Sequence, residues 1–129
     1  MAKKILLIDD DPTVVRLLTN RLKVNGYNVV TALTAKKGIT KAIEEKPDVI
    51  ILDILMPKTF GNEIAQQLRK DPHTSKIPVI FLSNVPPQFL SGEETLPGQT
   101  QQIVEGTIYL SKLCSTEELL EAIQKALSL

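Results

Sequence analysis

The sequence predicts an α/β domain built on a parallel sheet with helices on both faces. Three observations carry this. Short apolar runs alternate with segments of helical periodicity along the whole chain. The runs KILLI, DVIIL and IPVIFL are continuously apolar, as strands buried on both faces must be. The helical segments begin and end on capping signals.

The first strand is KILLI, residues 4–8. Asp11 then offers an N-cap, Pro12 suits a first helical turn, and Gly26 suits a C-terminal stop. Between them Val14, Leu18 and Leu22 recur at helical spacing. YNVVTAL is the second strand. Thr34 can cap AKKGITKAIEEK, where Ile39, Ala42 and Ile43 share a face. DVIIL, the most apolar run, is the third strand, and NEIAQQLRK is a third helix stopped before Pro72. IPVIFL and TIYL are the fourth and fifth strands. Ser115 and Glu118 form a capping box that opens TEELLEAIQKALSL. Between the last two strands, NVPPQFLSGEETLPGQ (residues 84–99) carries three prolines and two glycines and reads as a long loop. Only TQQIVE after it has the composition for a short fourth helix.

The bulk properties bound the function. The chain has 129 residues, which suits one domain over residues 1–129. Fifteen Lys and Arg balance fifteen Asp and Glu, which argues against a nucleic-acid module with a basic face. No apolar run approaches a bilayer span. MAKKILLIDD begins like a signal peptide, but its apolar run meets acid after four residues, so a cytoplasmic location is expected. Cys114, the single cysteine, has no disulfide partner and no metal-ligand spacing around it; it reads as a packed or surface thiol.

The chemistry should lie at the carboxyl ends of the strands, where open parallel sheets bind ligands. Asp9, Asp10 and Asp11 follow the first strand, Asp53 the third, Ser83 the fourth, and Ser111 and Lys112 the fifth. Asp11 has a structural task as a cap. Asp9, Asp10 and Asp53 should converge, and two like charges 4 Å apart repel by about 4 kcal/mol at the effective dielectric of a protein surface. A hard divalent cation such as Mg2+ turns that repulsion into binding, and lysine neutralises phosphate oxygens. Asp53, on the central strand, can offer one carboxylate oxygen as a nucleophile.

KILLIDDDP, DVIILDILMPKTFG, IPVIFLSN and YLSK, in that order, resemble the receiver domain of two-component response regulators. The resemblance covers essentially the whole chain. It implies a flavodoxin-like (βα)5 sheet of order 2-1-3-4-5. It implies that Asp53 is the phosphoacceptor. Asp9, Asp10, Asp53 and the Leu55 backbone carbonyl would hold Mg2+. Ser83 would bond a phosphoryl oxygen, Lys112 would pair with the phosphoryl group, and Tyr109 would be the aromatic that swings inward with Ser83 on activation. The implied partners are a histidine kinase or phosphotransfer protein as donor and a protein as receiver of the signal, with neither nucleic acid nor membrane bound directly. No enzymatic turnover is implied beyond self-phosphorylation and self-dephosphorylation.

Three features depart from the family pattern. Leu113 stands where proline usually follows the lysine, so the Lys112–Leu113 peptide is expected to be trans. Asn84 replaces a small residue after Ser83. The segment between Ser83 and Lys112 is longer than usual and rich in proline. Two other readings compete. Asp9 to Thr13 also fits the DxDx(T/V) motif of haloacid-dehalogenase-like phosphatases, with Asp9 as nucleophile and Asp11 as general acid. Against it stand a helix that starts at once after Asp11 and the lack of an acidic pair beyond Lys112 outside a helix. A receiver-like scaffold that no longer uses phosphate is the third reading, and the intact acids oppose it.

Overall fold

The computed structural model describes residues 2–53, 55–56, 59–83, 101–104, 107–112 and 114–128. In chain order the elements are β1 (Lys4–Ile8), α1 (Pro12–Val24), β2 (Asn28–Ala32), α2 (Ala35–Glu45), β3 (Val49–Asp53), β4 (Leu55–Met56), β5 (Thr59–Phe60), α3 (Gly61–Lys70), β6 (Val79–Ser83), β7 (Gln101–Val104), β8 (Thr107–Ser111) and α4 (Thr116–Leu127). The main sheet runs β2-β1-β3-β6-β8-β7. Its first five members pair in parallel, which is the expected order 2-1-3-4-5 for the five predicted strands.

The continuous apolar runs have a direct structural cause. Successive side chains of a strand point to opposite faces, and here both faces are covered. Ile5, Leu7, Ile51 and Ile80 pack beneath α1 and α4, against Leu18, Leu22, Leu119 and Ile123. Leu6, Ile8, Ile50, Leu52 and Phe81 pack on the other side against Ala42 of α2 and Ile64 and Leu68 of α3. Every residue of β3 is buried, and only the last, Asp53 at the strand end, is polar.

The capping signals hold. The Asp11 side chain accepts from Thr13 N at 2.9 Å, and Pro12 occupies the first turn of α1. Gly26 follows that helix at φ 90°, in the left-handed region open to glycine. Thr34 Oγ1 accepts from Lys37 N at 3.2 Å and opens α2. Cys114 is buried in the core beside α4, which pushes its thiol up to about 11 and leaves it a packed apolar side chain. His73 sits on the surface, where its backbone N donates to Asp71 Oδ1 at 2.8 Å. Among the described residues, no helix is long and apolar enough to cross a membrane.

One expectation is corrected. TQQIVE was expected to hold a short fourth helix, but Gln101–Val104 is a strand, β7, antiparallel to β8 at the sheet edge. A helix of about one turn gains little against its nucleation cost. The free edge of β8 offers a full ladder, and the β-branched Ile103 and Val104 suit a strand. A second small addition is the β4–β5 hairpin, which pairs Leu55 with Phe60. The predicted loop at 84–99 lies outside the described residues.

The capping box gives a first prediction. Ser115 Oγ accepts from Glu118 N, and Glu118 Oε1 accepts from Ser115 N, both at 3.1 Å. Ser115→Ala should lose about 1 kcal/mol, read as a fall of about 4 °C in Tm by circular dichroism. An unchanged Tm would mean the box contributes nothing to α4.

Candidate functional site

The sheet register builds the site. Ile8 pairs with Leu52, so Asp9 and Asp53 leave adjacent strands side by side. On the other flank Asp53 pairs with Leu82, and Ser83 pairs with Ser111. Lys112 therefore follows the end of a strand separated from β3 only by β6. Its side chain returns across the end of β6. Lys112 Nζ lies 3.2 Å from Asp9 Oδ2 and 3.3 Å from Asp53 Oδ2.

Asp9, Asp10 and Asp53 offer carboxylate oxygens that all lie within 4.8 Å of one another. Asp9 is fully buried and Asp53 is 3% exposed, whereas Asp10 is exposed. The Asp9 backbone N donates to Ala32 O at 3.1 Å, and Asp9 Oδ1 accepts from Asp11 N at 2.9 Å. Asp9 Oδ2 meets Lys112 within ion-pair distance but accepts no hydrogen bond of good geometry among the described residues. A buried carboxylate oxygen left in that state costs free energy. Three carboxylates against one ammonium leave two negative charges in excess. An all-oxygen donor set of this kind, with more negative charge than the one ammonium balances, fits a small hard divalent cation.

The same geometry perturbs the titration of two groups. Burial pushes the Asp9 carboxyl above its ordinary value, and the charge of Asp53 adds to that rise; the Asp11 N–H bond and Lys112 pull against it. Burial alone would lower Lys112, but Asp9 and Asp53 outweigh it and hold the ammonium above its ordinary value. The signs matter for stability. An acid whose folded pKa is raised holds its proton more tightly in the native state. Stability therefore falls as pH rises from the unfolded to the folded pKa of Asp9, and the full cost is reached above the folded one. Lys112 acts the other way: its contribution is complete below its unfolded pKa and is lost only as pH rises through the folded one.

The remaining predicted residues are placed less fully. Asp11 stands apart as the cap of α1, as expected. Ser83 ends β6 opposite Ser111, on the strand beside Asp53. Leu55 begins β4, two residues beyond Asp53. Tyr109 is half-buried on β8, its ring 5.1 Å from that of Phe81 at an interplanar angle of 34°. Asn84 and Leu113 lie outside the described residues. Two features escaped the sequence reading. One is the Asp11 backbone N–H that orients Asp9; an aspartate followed two residues later by a helix cap was its signal. The other is the double pairing of Lys112, signalled only by the general need of buried carboxylates for a counter-charge.

Two substitutions test this balance without metal. Asp9→Asn keeps an oxygen for the Asp11 N–H and removes a buried charge. It should stabilise the metal-free protein at neutral pH, raising Tm by about 4 °C, the shift that about 1 kcal/mol produces. Lys112→Met should do the reverse and lower stability by about 3 kcal/mol in urea titrations, because it strands Asp9 and Asp53. Equal stability of all three proteins would contradict the electrostatic account.

Comparison with known proteins bears on the family of the chain. The family model for the response regulator receiver domain matches residues 5–124. Protein PilH of Pseudomonas aeruginosa is 36% identical over 127 residues, covering 97% of this chain and 98% of PilH. The DNA-binding dual master transcriptional regulator RpaA of Synechocystis sp. is 35% identical over 129 residues, 96% of this chain. The chain spans 48% of RpaA. Among solved structures, the chemotaxis response regulator CheY4 of Vibrio cholerae superimposes with a TM-score of 0.79 at 26% identity, covering 98% of this chain and 99% of that one.

Proposed function

The chain belongs to the response regulator receiver family, and on that premise we propose that it is a switch set by transfer of a phosphoryl group to Asp53. The donor is a histidine kinase or phosphotransfer protein. The single observation that carries this reading is the convergence of Asp9, Asp10 and Asp53 within 4.8 Å, with Lys112 bridging two of them.

Each residue has a role set by its place. Asp53 ends the central strand, and its carboxylate oxygen forms the new O–P bond. The bond from phosphorus to the donor imidazole nitrogen breaks as this forms, and its electron pair leaves with that nitrogen. Asp9 and Asp10, with Asp53 and the Leu55 carbonyl, would hold Mg2+. When bound, that ion neutralises charge on the phosphoryl oxygens and so lowers the barrier to in-line transfer. Lys112 already stands 3.3 Å from Asp53 Oδ2 and is positioned to turn from the carboxylate to a phosphoryl oxygen. Its ammonium, held above its ordinary value by Asp9 and Asp53, is charged at neutral pH before transfer. Ser83 bonds another phosphoryl oxygen at the end of β6. Tyr109, packed beside Phe81, moves with Ser83 and reports the state to a protein partner.

Residues 1–129 then act as one receiver domain in the cytoplasm, where kinases work. The phosphatase reading gains nothing from the site: Asp11, its required general acid, spends its side chain on Thr13 N at the start of α1.

Incubation with acetyl phosphate and magnesium, followed by mass spectrometry of peptides, tests the proposal. One phosphoryl group should appear, on Asp53, and only with a divalent cation present. Asp53→Asn should abolish it in a protein that stays folded, with a Tm no lower than that of the parent. Undiminished labelling of that variant, or turnover of small phosphomonoesters that depends on Asp9 and not on Asp53, would falsify the assignment.

A further inference from the structure

We propose that Gly38 is a positioning residue for the acidic cluster: by lacking a Cβ it lets α2 close on Ile8 and so holds Asp9 in place. The proposal rests on the reading of that cluster as a cation site.

Gly38 lies inside α2 and is buried. Its backbone does not need glycine, because among the described glycines only Gly26 has a positive φ. Its N donates to Thr34 O at 2.9 Å, an ordinary helical bond. Alanine is the better helix former at such a position, so the absence of a side chain needs a packing cause. A Cβ on residue 38 would stand 2.6 Å from Ile8 Cδ1, 2.9 Å from Cγ1 and 3.0 Å from Cγ2. Carbon atoms prefer about 3.5–4.0 Å. Both γ carbons of Ile8 are involved, so rotation of its tip alone does not relieve the contact, and β-branched side chains are stiff at χ1.

Ile8 has nowhere to retreat. It is fully buried, and its backbone pairs with Ala32 on one side and Leu52 on the other. The next residue is Asp9, whose N donates to Ala32 O. Two routes could relieve a larger side chain at 38, and both end at Asp9. Displacing Ile8 moves the peptide that carries Asp9. Displacing α2 pulls on Thr34 and Leu33, which follow Ala32 directly, and so disturbs the carbonyl that holds the Asp9 N–H. A shift there also changes the approach of Asp9 to Asp53 across the β1–β3 pair.

Isothermal titration of magnesium chloride into the full chain tests this. Gly38→Ala should weaken the magnesium Kd by about tenfold, the lower end of what loss of ligand-orienting contacts costs. Adding Ile8→Val, which deletes the nearest carbon, should recover part of that loss. A purely structural role predicts a lower Tm with an unchanged Kd, and that result overturns the proposal. Should Gly38→Ala not fold, the double variant is compared with Ile8→Val alone: a weaker Kd supports the proposal and an equal Kd overturns it. Failure of the parent protein to bind magnesium overturns the metal role of the cluster and this proposal with it, whereas binding by parent and variant alike overturns only the role of Gly38.

Discussion

The Lys112 ammonium, held between Asp9 and Asp53, is the contact on which the rest of the site depends. Two carboxylates at the mouth of a sheet with apolar strands on both faces cannot spread their charge into water as surface acids do. One cation relieves part of the repulsion and leaves a deficit. That deficit is what a divalent ion would neutralise, and the fold gathers the Asp9, Asp10 and Asp53 carboxylates and the Lys112 ammonium around one point.

The fold makes this arrangement rigid. β1 and β3 are the centre of two cores at once, with Ile5 and Leu7 on one face and Leu6 and Ile8 on the other. Strands packed from both sides have little freedom to slide, so Asp9 and Asp53 leave the sheet in fixed register. Local devices refine their aim: the Asp11 N–H holds one oxygen of Asp9, and the Ala32 carbonyl holds its backbone. The cost of bringing like charges together is met by burial elsewhere in the molecule, so the site is a region of stored instability within a well-packed domain.

Much of this was legible in the sequence because the signals are local. Continuous apolar runs declared β1, β3 and β6, and caps at Asp11, Thr34 and Ser115 declared helix starts. Acidic and basic residues placed directly after strands pointed to the convergence of Asp9, Asp10, Asp53 and Lys112. What escaped depends on contacts distant in sequence or on segments too short to carry a period. Gln101–Val104 has four residues and becomes a strand only because β8 offers an edge. The reach of Lys112 to Asp9 depends on sheet order together with side-chain length. The approach of α2 to Ile8 depends on an absent atom at Gly38, and a glycine in a helical run looks the same whether it is needed or merely tolerated.

The claim that the excess negative charge is completed by a divalent cation is tested most directly by the Tm of the unmutated protein in a magnesium titration. Selective binding to the native state predicts a continuous rise, equivalent to about 2.7 kcal/mol at a hundredfold excess over Kd, and predicts its loss in Asp53→Ala. A Tm that ignores magnesium over the millimolar range, in a protein that is otherwise folded, would contradict the account at its centre.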